Sequence, residues 1–233
     1  MPTIADNLAT VRARIRAAAE RVRRNPAEVQ LIAVSKTIPP EIMREAVAEG
    51  VTVFGESRIQ EAKAKIPELP GSLQWHLIGH LQTNKAREAV ALFHMIHSVD
   101  SIRLALELDK CAERAALTVP VLLECNVSGE STKFGFKPDE VLEALAELNG
   151  LRRLEIRGLM TMAPFFEDPQ EARPTFRALR ELRDRLQQRH GIPLPALSMG
   201  MTNDFETAIE EGATLVRIGT AIFRPSPAEE SPP

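Results

Sequence analysis

The chain has 233 residues, a formal net charge of −3 at pH 7 and 44% hydrophobic content. It lacks the basic excess of a nucleic-acid binder, and no run of 18 apolar residues offers a membrane span. No apolar signal core opens it, so a cytoplasmic protein is expected. Cys111 and Cys125 form no paired motif, and Cys125, inside VPVLLECNV, reads as a buried thiol. The chain contains no tyrosine, which closes any mechanism needing a phenol as acid or base.

Residues 4–24 carry Ile4, Leu8, Val11, Ile15, Ala18 and Val22 at helical steps, the pattern of an amphipathic helix. Thr3 is its expected N-cap and Asn25-Pro26 its end. The opposite face, with Arg12, Arg14, Arg16, Arg21, Arg23 and Arg24, reads as solvated surface. Eight apolar, β-branched runs follow, at 29–34, 51–54, 73–78, 95–99, 119–127, 154–162, 196–199 and 214–218. Helical stretches separate them, at 40–49, 57–65, 82–93, 101–116, 138–148, 171–189 and 203–211. Such alternation implies parallel strands joined by crossover helices. Eight strands predict an α/β fold, a single TIM-type (β/α)8 barrel over residues 1–224 with an extra N-terminal helix. An open doubly wound sheet is the alternative, but Ser35-Lys36 stands where its glycine-rich turn would be. Residues 225–233, rich in Pro, Glu and Ser, read as a disordered tail.

In such a barrel the chemistry gathers where strands end. The last two ends, Ser198 to Thr202 and Arg217 to Thr220, offer small and hydroxyl-bearing residues whose N–H and O–H groups suit a dianionic phosphate. A helix expected from about Asn203 would aim its dipole at the same place. Lys36 closes the apolar run LIAVSK. It is expected at the barrel mouth with its stem in apolar surroundings, which would free the amine as a nucleophile. The alternative is a strand-end lysine that simply reaches solvent. An amine facing a phosphate site suggests a Schiff base with a phosphorylated aldehyde, and pyridoxal 5′-phosphate (PLP) fits that description. Arg217 is expected either to meet the ring nitrogen of PLP or to pair with a neighbour such as Glu56. Beside the nitrogen, a permanent cation would keep it unprotonated and weaken the ring as an electron sink. His76 with His80, and His94 with His97, have ligand-like spacing, but no further ligands cluster with them and no metal is expected.

Longer segments carry a resemblance. They are AVSKT at 33–37, FGES at 54–57, WHLIGHLQTNK at 75–85, HSVDS at 97–101, GLMTMAP at 158–164 and LSMGMTNDFETAIEEGATLVRIGTAIF at 197–223. With them the chain resembles the pyridoxal phosphate homeostasis proteins, a family similar to the N-terminal barrel of alanine racemases (the fold type III PLP proteins). The resemblance implies that Lys36 is the Schiff-base lysine and that Ser198, Thr202, Gly219 and Thr220 form the phosphate cradle. It implies Arg217 near the pyridine nitrogen, with Met160, Ala33 and Ile218 packed near the cofactor. Ser57 stands where the family usually has Asn, Thr202 where Ser is usual, and Arg224 where Gly is usual. The implied function is a PLP carrier in vitamin B6 homeostasis and amino-acid balance, with no catalytic residues, and apo PLP-dependent enzymes as partners. A monomer is expected. Two alternatives remain: a PLP-dependent racemase or decarboxylase of this fold type, and a sugar-phosphate barrel enzyme using Lys36 as an aldolase-type amine.

Overall fold

Residues 2–130 and 134–223 are described by the computed structural model. The N-terminal stripe forms α1 (Ile4–Arg21). Thr3 and Asp6 close a capping box, with Asp6 N donating to Thr3 Oγ1 at 3.2 Å and Thr3 N to Asp6 Oδ2 at 2.9 Å. The helix stops three residues before the sequence limit. The Val22 amide turns back onto Ala19 and Glu20, and Arg23 takes a φ of 57°.

The alternation then unfolds as β1 (Gln30–Val34), α2 (Pro40–Ala48), β2 (Val53–Glu56), α3 (Ile59–Lys65), β3 (Gln74–Leu77), α4 (Ala86–Leu92), β4 (Met95–Val99) and α5 (Ile102–Arg114). It continues with β5 (Val119–Glu124), α6 (Pro138–Asn149), β6 (Leu154–Met160), α7 (Arg173–His190), β7 (Ala196–Ser198), α8 (Phe205–Glu210), β8 (Leu215–Ile218) and α9 (Thr220–Phe223). The strands close into one parallel barrel in chain order, β8 pairing with β1 through Ala33 opposite Ile218. β5 and β6 end earlier than the apolar runs suggest. Beyond Glu124 the chain leaves the sheet, touching Phe136 by a single bridge, and Thr161 turns its hydroxyl onto the Cys125 carbonyl at 2.8 Å.

Strand parity sorts the interior. One buried cluster, Ile32, Val53, Leu122, Met160 and Leu215, with Met95 and Ala196 against it, fills the barrel floor. The larger core lies outside the sheet, between strands and helices. Two residues above the floor, the same inward faces carry His97, Glu124, Ser198 and Arg217, all buried. The barrel is therefore apolar at its base and polar beneath its mouth.

The arginine face of α1 is not plain solvated surface. It lies along α8, where Arg14 binds Glu206 at 2.6 Å, Arg21 binds Glu210 at 2.7 Å, and Arg24 caps the carbonyls of Ile209 and Ala213. From the other side Arg173, Arg177 and Arg180 of α7 converge on the Glu211 carboxylate. α8 is thus clamped between two helices, which fixes the loop that precedes it. Among the described residues no helix is long and apolar enough to cross a membrane. Arg224 and the expected tail at 225–233 lie outside the described residues.

Candidate functional site

Lys36 sits in the turn after β1, two residues beyond inward-facing Val34. Its side chain is exposed, not held in the apolar surroundings its sequence context suggests. The turn that carries it is tightly held on both sides. Lys65 Nζ, from α3, donates to the Ser35 carbonyl at 2.7 Å and to Glu56 Oε1 at 2.8 Å. Glu61 Oε2 accepts from the Thr37 amide at 2.9 Å, and Thr37 takes a left-handed φ of 62°. Glu56 is fully buried; burial pushes its carboxyl up, while Lys65 and the Ser35 hydroxyl oppose the shift. Burial also raises the Glu61 carboxyl, but the Thr37 amide and Lys65 outweigh it and hold it low.

A cleft of about 560 Å³ opens beside this turn, lined by Lys36, Ser57, Gln60, His80 and Lys85 among others. Ser57 is half-buried there. Its carbonyl would lie 2.3 Å from a Cβ at Gly79, so the loops after β2 and β3 meet with no room for a side chain.

The expected cradle lies on the other side of Lys36. A Cβ at Gly219 would fall 3.0 Å from the Val34 carbonyl, so the end of β8 presses against the end of β1. Thr220 follows, exposed, as the first residue of α9. Half-buried Thr202 accepts from the Ala221 amide at 3.4 Å, joining the loop after β7 to the start of α9. α8 begins at Phe205, two residues later than the sequence suggests, because the Asp204 carboxylate takes the Met201 amide at 2.6 Å. Gly200 shapes this loop: its φ is 90°, and a Cβ there would meet Ala208 at 2.6 Å and the Phe205 backbone at 2.9 Å. Gly200→Ala is expected to cost about 2 kcal/mol. A thermal melt unchanged from wild type would show that the loop does not need this conformation.

Ser198 and Arg217 lie deeper. Arg217 is 3% exposed, and its Nη1 donates to Ser198 Oγ at 2.6 Å and its Nη2 to the Thr161 carbonyl at 2.9 Å. It forms no ion pair with Glu56, which belongs to Lys65. Burial lowers the Arg217 guanidinium to about 10, opposed by the charges of Asp204 and Glu124. An arginine has five N–H donors. Those not used by Ser198 and Thr161 have no acceptor among the described residues. The Ser198 hydroxyl is directed into the barrel, where His97 Nδ1 lies 2.9 Å away. Met160 packs below with Ile32 and Leu122, while Ala33 and Ile218 sit side by side on the outer face of β1 and β8.

The two spaced histidine pairs find other partners. His76 and His97 bond each other at 3.0 Å, His94 accepts the Trp75 amide at 3.1 Å, and His80 stacks on Phe134 with ring centroids 3.8 Å apart. The most consequential residue missing from the sequence reading is Glu124. It is 5% exposed, and burial lifts its carboxyl to about 7, with Asp100 adding to the rise and Arg217 opposing it.

A closed parallel barrel with a lysine past its first strand and glycine–threonine loops past its last two defines a class of protein. It is the class of the alanine racemase N-terminal domain, whose family model matches residues 7–227. A pyridoxal phosphate homeostasis protein of Aquifex aeolicus is 46% identical over 219 residues, 94% of this chain and 96% of that one. One of Pseudomonas aeruginosa is 45% identical over 227 residues, covering 96% of each. The structure of PipY of Synechococcus elongatus with PLP bound matches at a TM-score of 0.83 and 40% identity, covering 95% of this chain and 100% of that one. The chain belongs to the family of pyridoxal phosphate homeostasis proteins.

Proposed function

We propose that this protein holds PLP as a Schiff base on Lys36 and carries it within the cell, maintaining vitamin B6 and amino-acid balance rather than turning over a substrate. The observation that carries this reading is the seam between β8 and β1. There the close approach of Gly219 to Val34 sets a glycine–threonine loop beside the turn that presents Lys36. The PLP bound to PipY of Synechococcus elongatus supports the same ligand.

The donor set fits the cofactor. The hydroxyls of Thr202 and Thr220 and the backbone of Gly219 bind the phosphate. The spare N–H groups of buried Arg217 suit a neutral acceptor such as a pyridine nitrogen, and Ser198 serves by holding Arg217. Met160 supports the site from beneath, and Ser57 bounds the cleft on the far side of Lys36. PLP supplies an electrophilic aldehyde and an electron-withdrawing ring when bound. A guanidinium at the nitrogen curbs that withdrawal, and the chain has no phenol to act as a second acid or base. Exposed Lys36 remains accessible for loading and release, as a carrier needs. The carrier is a cytoplasmic monomer built on one domain, residues 1–224, and its recipients are apo PLP-dependent enzymes.

The test is the visible spectrum of the protein after PLP is added, before and after borohydride, for wild type and Lys36→Ala. Wild type is expected to gain a band that borohydride fixes covalently on Lys36, and the variant to lose both. No band in wild type overturns the cofactor reading. A band with rapid amino-acid turnover overturns the carrier reading.

A further inference from the structure

Four side chains from four strands touch in sequence beneath the barrel mouth. His76 Nδ1 on β3 lies 3.0 Å from His97 Nε2 on β4. His97 Nδ1 lies 2.9 Å from Ser198 Oγ on β7, and that oxygen takes Nη1–H of Arg217 on β8 at 2.6 Å. All four are buried.

The chemistry of the ends fixes a direction. Arginine only donates, so Ser198 Oγ accepts from it. If His97 also donated to that oxygen, the serine proton would have no acceptor among the described residues, a costly state for a buried hydroxyl. Ser198 therefore donates to His97 Nδ1. The ring proton of His97 then sits on Nε2 and points at His76 Nδ1, which leaves the proton of His76 on its own Nε2. Both rings must be neutral for this to hold, since an imidazolium has no lone pair to offer. Burial favours neutrality in each, and the charge of Arg217 adds to it at His97.

We propose that His97 is a positioning residue for the Arg217 guanidinium, acting through Ser198 in a one-way chain from Arg217 through Ser198 and His97 to His76. The need for such a device is visible in the surroundings. Glu124 and Asp204 both attract the Arg217 charge, yet neither makes an ion pair with it. The chain holds the guanidinium off those carboxylates and leaves its remaining donors free for a ligand. The role at the pyridine nitrogen rests on the PLP reading above; the chain itself does not.

Two measurements test it. The first is ¹⁵N NMR of the imidazoles in the ligand-free wild type. Both His76 and His97 are expected as neutral rings protonated at Nε2, and an Nδ1–H ring at His97 overturns the chain. The second compares His97→Asn with His97→Gln. Asparagine puts its amide near the Nδ1 position and keeps the Ser198 bond, while glutamine reaches toward His76 and abandons Ser198. Glutamine is expected to weaken PLP binding about tenfold and to shift the absorbance maximum of the bound cofactor, with asparagine within about twofold of wild type. Equal losses in both variants, or none in His97→Gln, overturn the positioning role. If wild type takes up no PLP, the functional reading fails, and the tautomers still decide the chain.

Discussion

Lys65→Met is expected to lower the unfolding free energy by about 3–5 kcal/mol, the penalty for stranding one member of a buried ion pair. Lys65 Nζ is the shared donor to Ser35 O, Glu56 Oε1 and Glu61 Oε2, at 2.7, 2.8 and 3.3 Å. Methionine fills much of the same volume but leaves Glu56 with only the Ser35 hydroxyl, at 2.7 Å, for one oxygen. The other carboxylate oxygen already has no partner. Burial has pushed the Glu56 carboxyl up, and losing Lys65 removes the main force holding it down. A raised folded-state pKa gives stability that is present at low pH and lost as pH rises. The deficit of Lys65→Met should therefore be larger at pH 8 than at pH 5. Adding Glu56→Gln to Lys65→Met should recover part of the loss, because the stranded charge is gone. Urea melts of the two single variants and the double measure this, and a loss under about 1 kcal/mol for Lys65→Met would sink the argument. The same substitution frees Ser35 and unsettles the Glu61 contact with Thr37, so Lys36 loses its fixed turn. Borohydride trapping of PLP on Lys36 should slow accordingly.

The placement of several candidate residues at strand ends was legible in the sequence. Lys36, Gly219 and Thr220 stand at the ends of short apolar runs, and an apolar run that stops at a charged or hydroxyl-bearing residue marks a strand leaving the core. The barrel followed from the strict alternation of such runs with helical stretches. The helix ends did not follow, because they depend on local hydrogen bonds: Val22 turning back on Ala19 and Glu20, and Asp204 taking the Met201 amide. Nor did Lys65. It reads as one of two lysines on a short helix, and only the packing of α3 against β2 gives it a buried partner. The bond between His76 and His97 is invisible for a different reason. It joins adjacent strands whose relative register is set by the whole barrel, and spacing within one strand says nothing about it. Glu124 did leave a signal. It closes VPVLLE two residues after inward-facing Leu122, as Lys36 closes LIAVSK two residues after Val34.

That parity makes Glu124→Gln the most informative change in the barrel interior. The carboxyl is raised from 4.5 to about 7, first by burial, then by the neighbouring charge of Asp100. The folded state thus binds this proton more tightly than the unfolded chain does. Its contribution to stability is full below the unfolded pKa and is lost as pH rises through about 7. His76 works in the opposite sense, because burial drops it from 6.5 to about 4; its contribution is full above 6.5 and is lost as pH falls toward 4. The two trends offset each other in wild type, so a single pH profile would hide both. The difference between wild type and Glu124→Gln isolates the carboxyl, since the histidines cancel. Between pH 5 and pH 8 the variant should gain about 2–3 kcal/mol relative to wild type. A constant difference across that range would mean that Glu124 is hydrated or paired in solution. Ionised Glu124 also places a negative charge near Arg217, so the absorbance of bound PLP should titrate with a midpoint near 7 in wild type. In Glu124→Gln that titration should vanish while the proposed Lys36 linkage to PLP survives, which separates a carboxylate that tunes Arg217 from one needed to build the site.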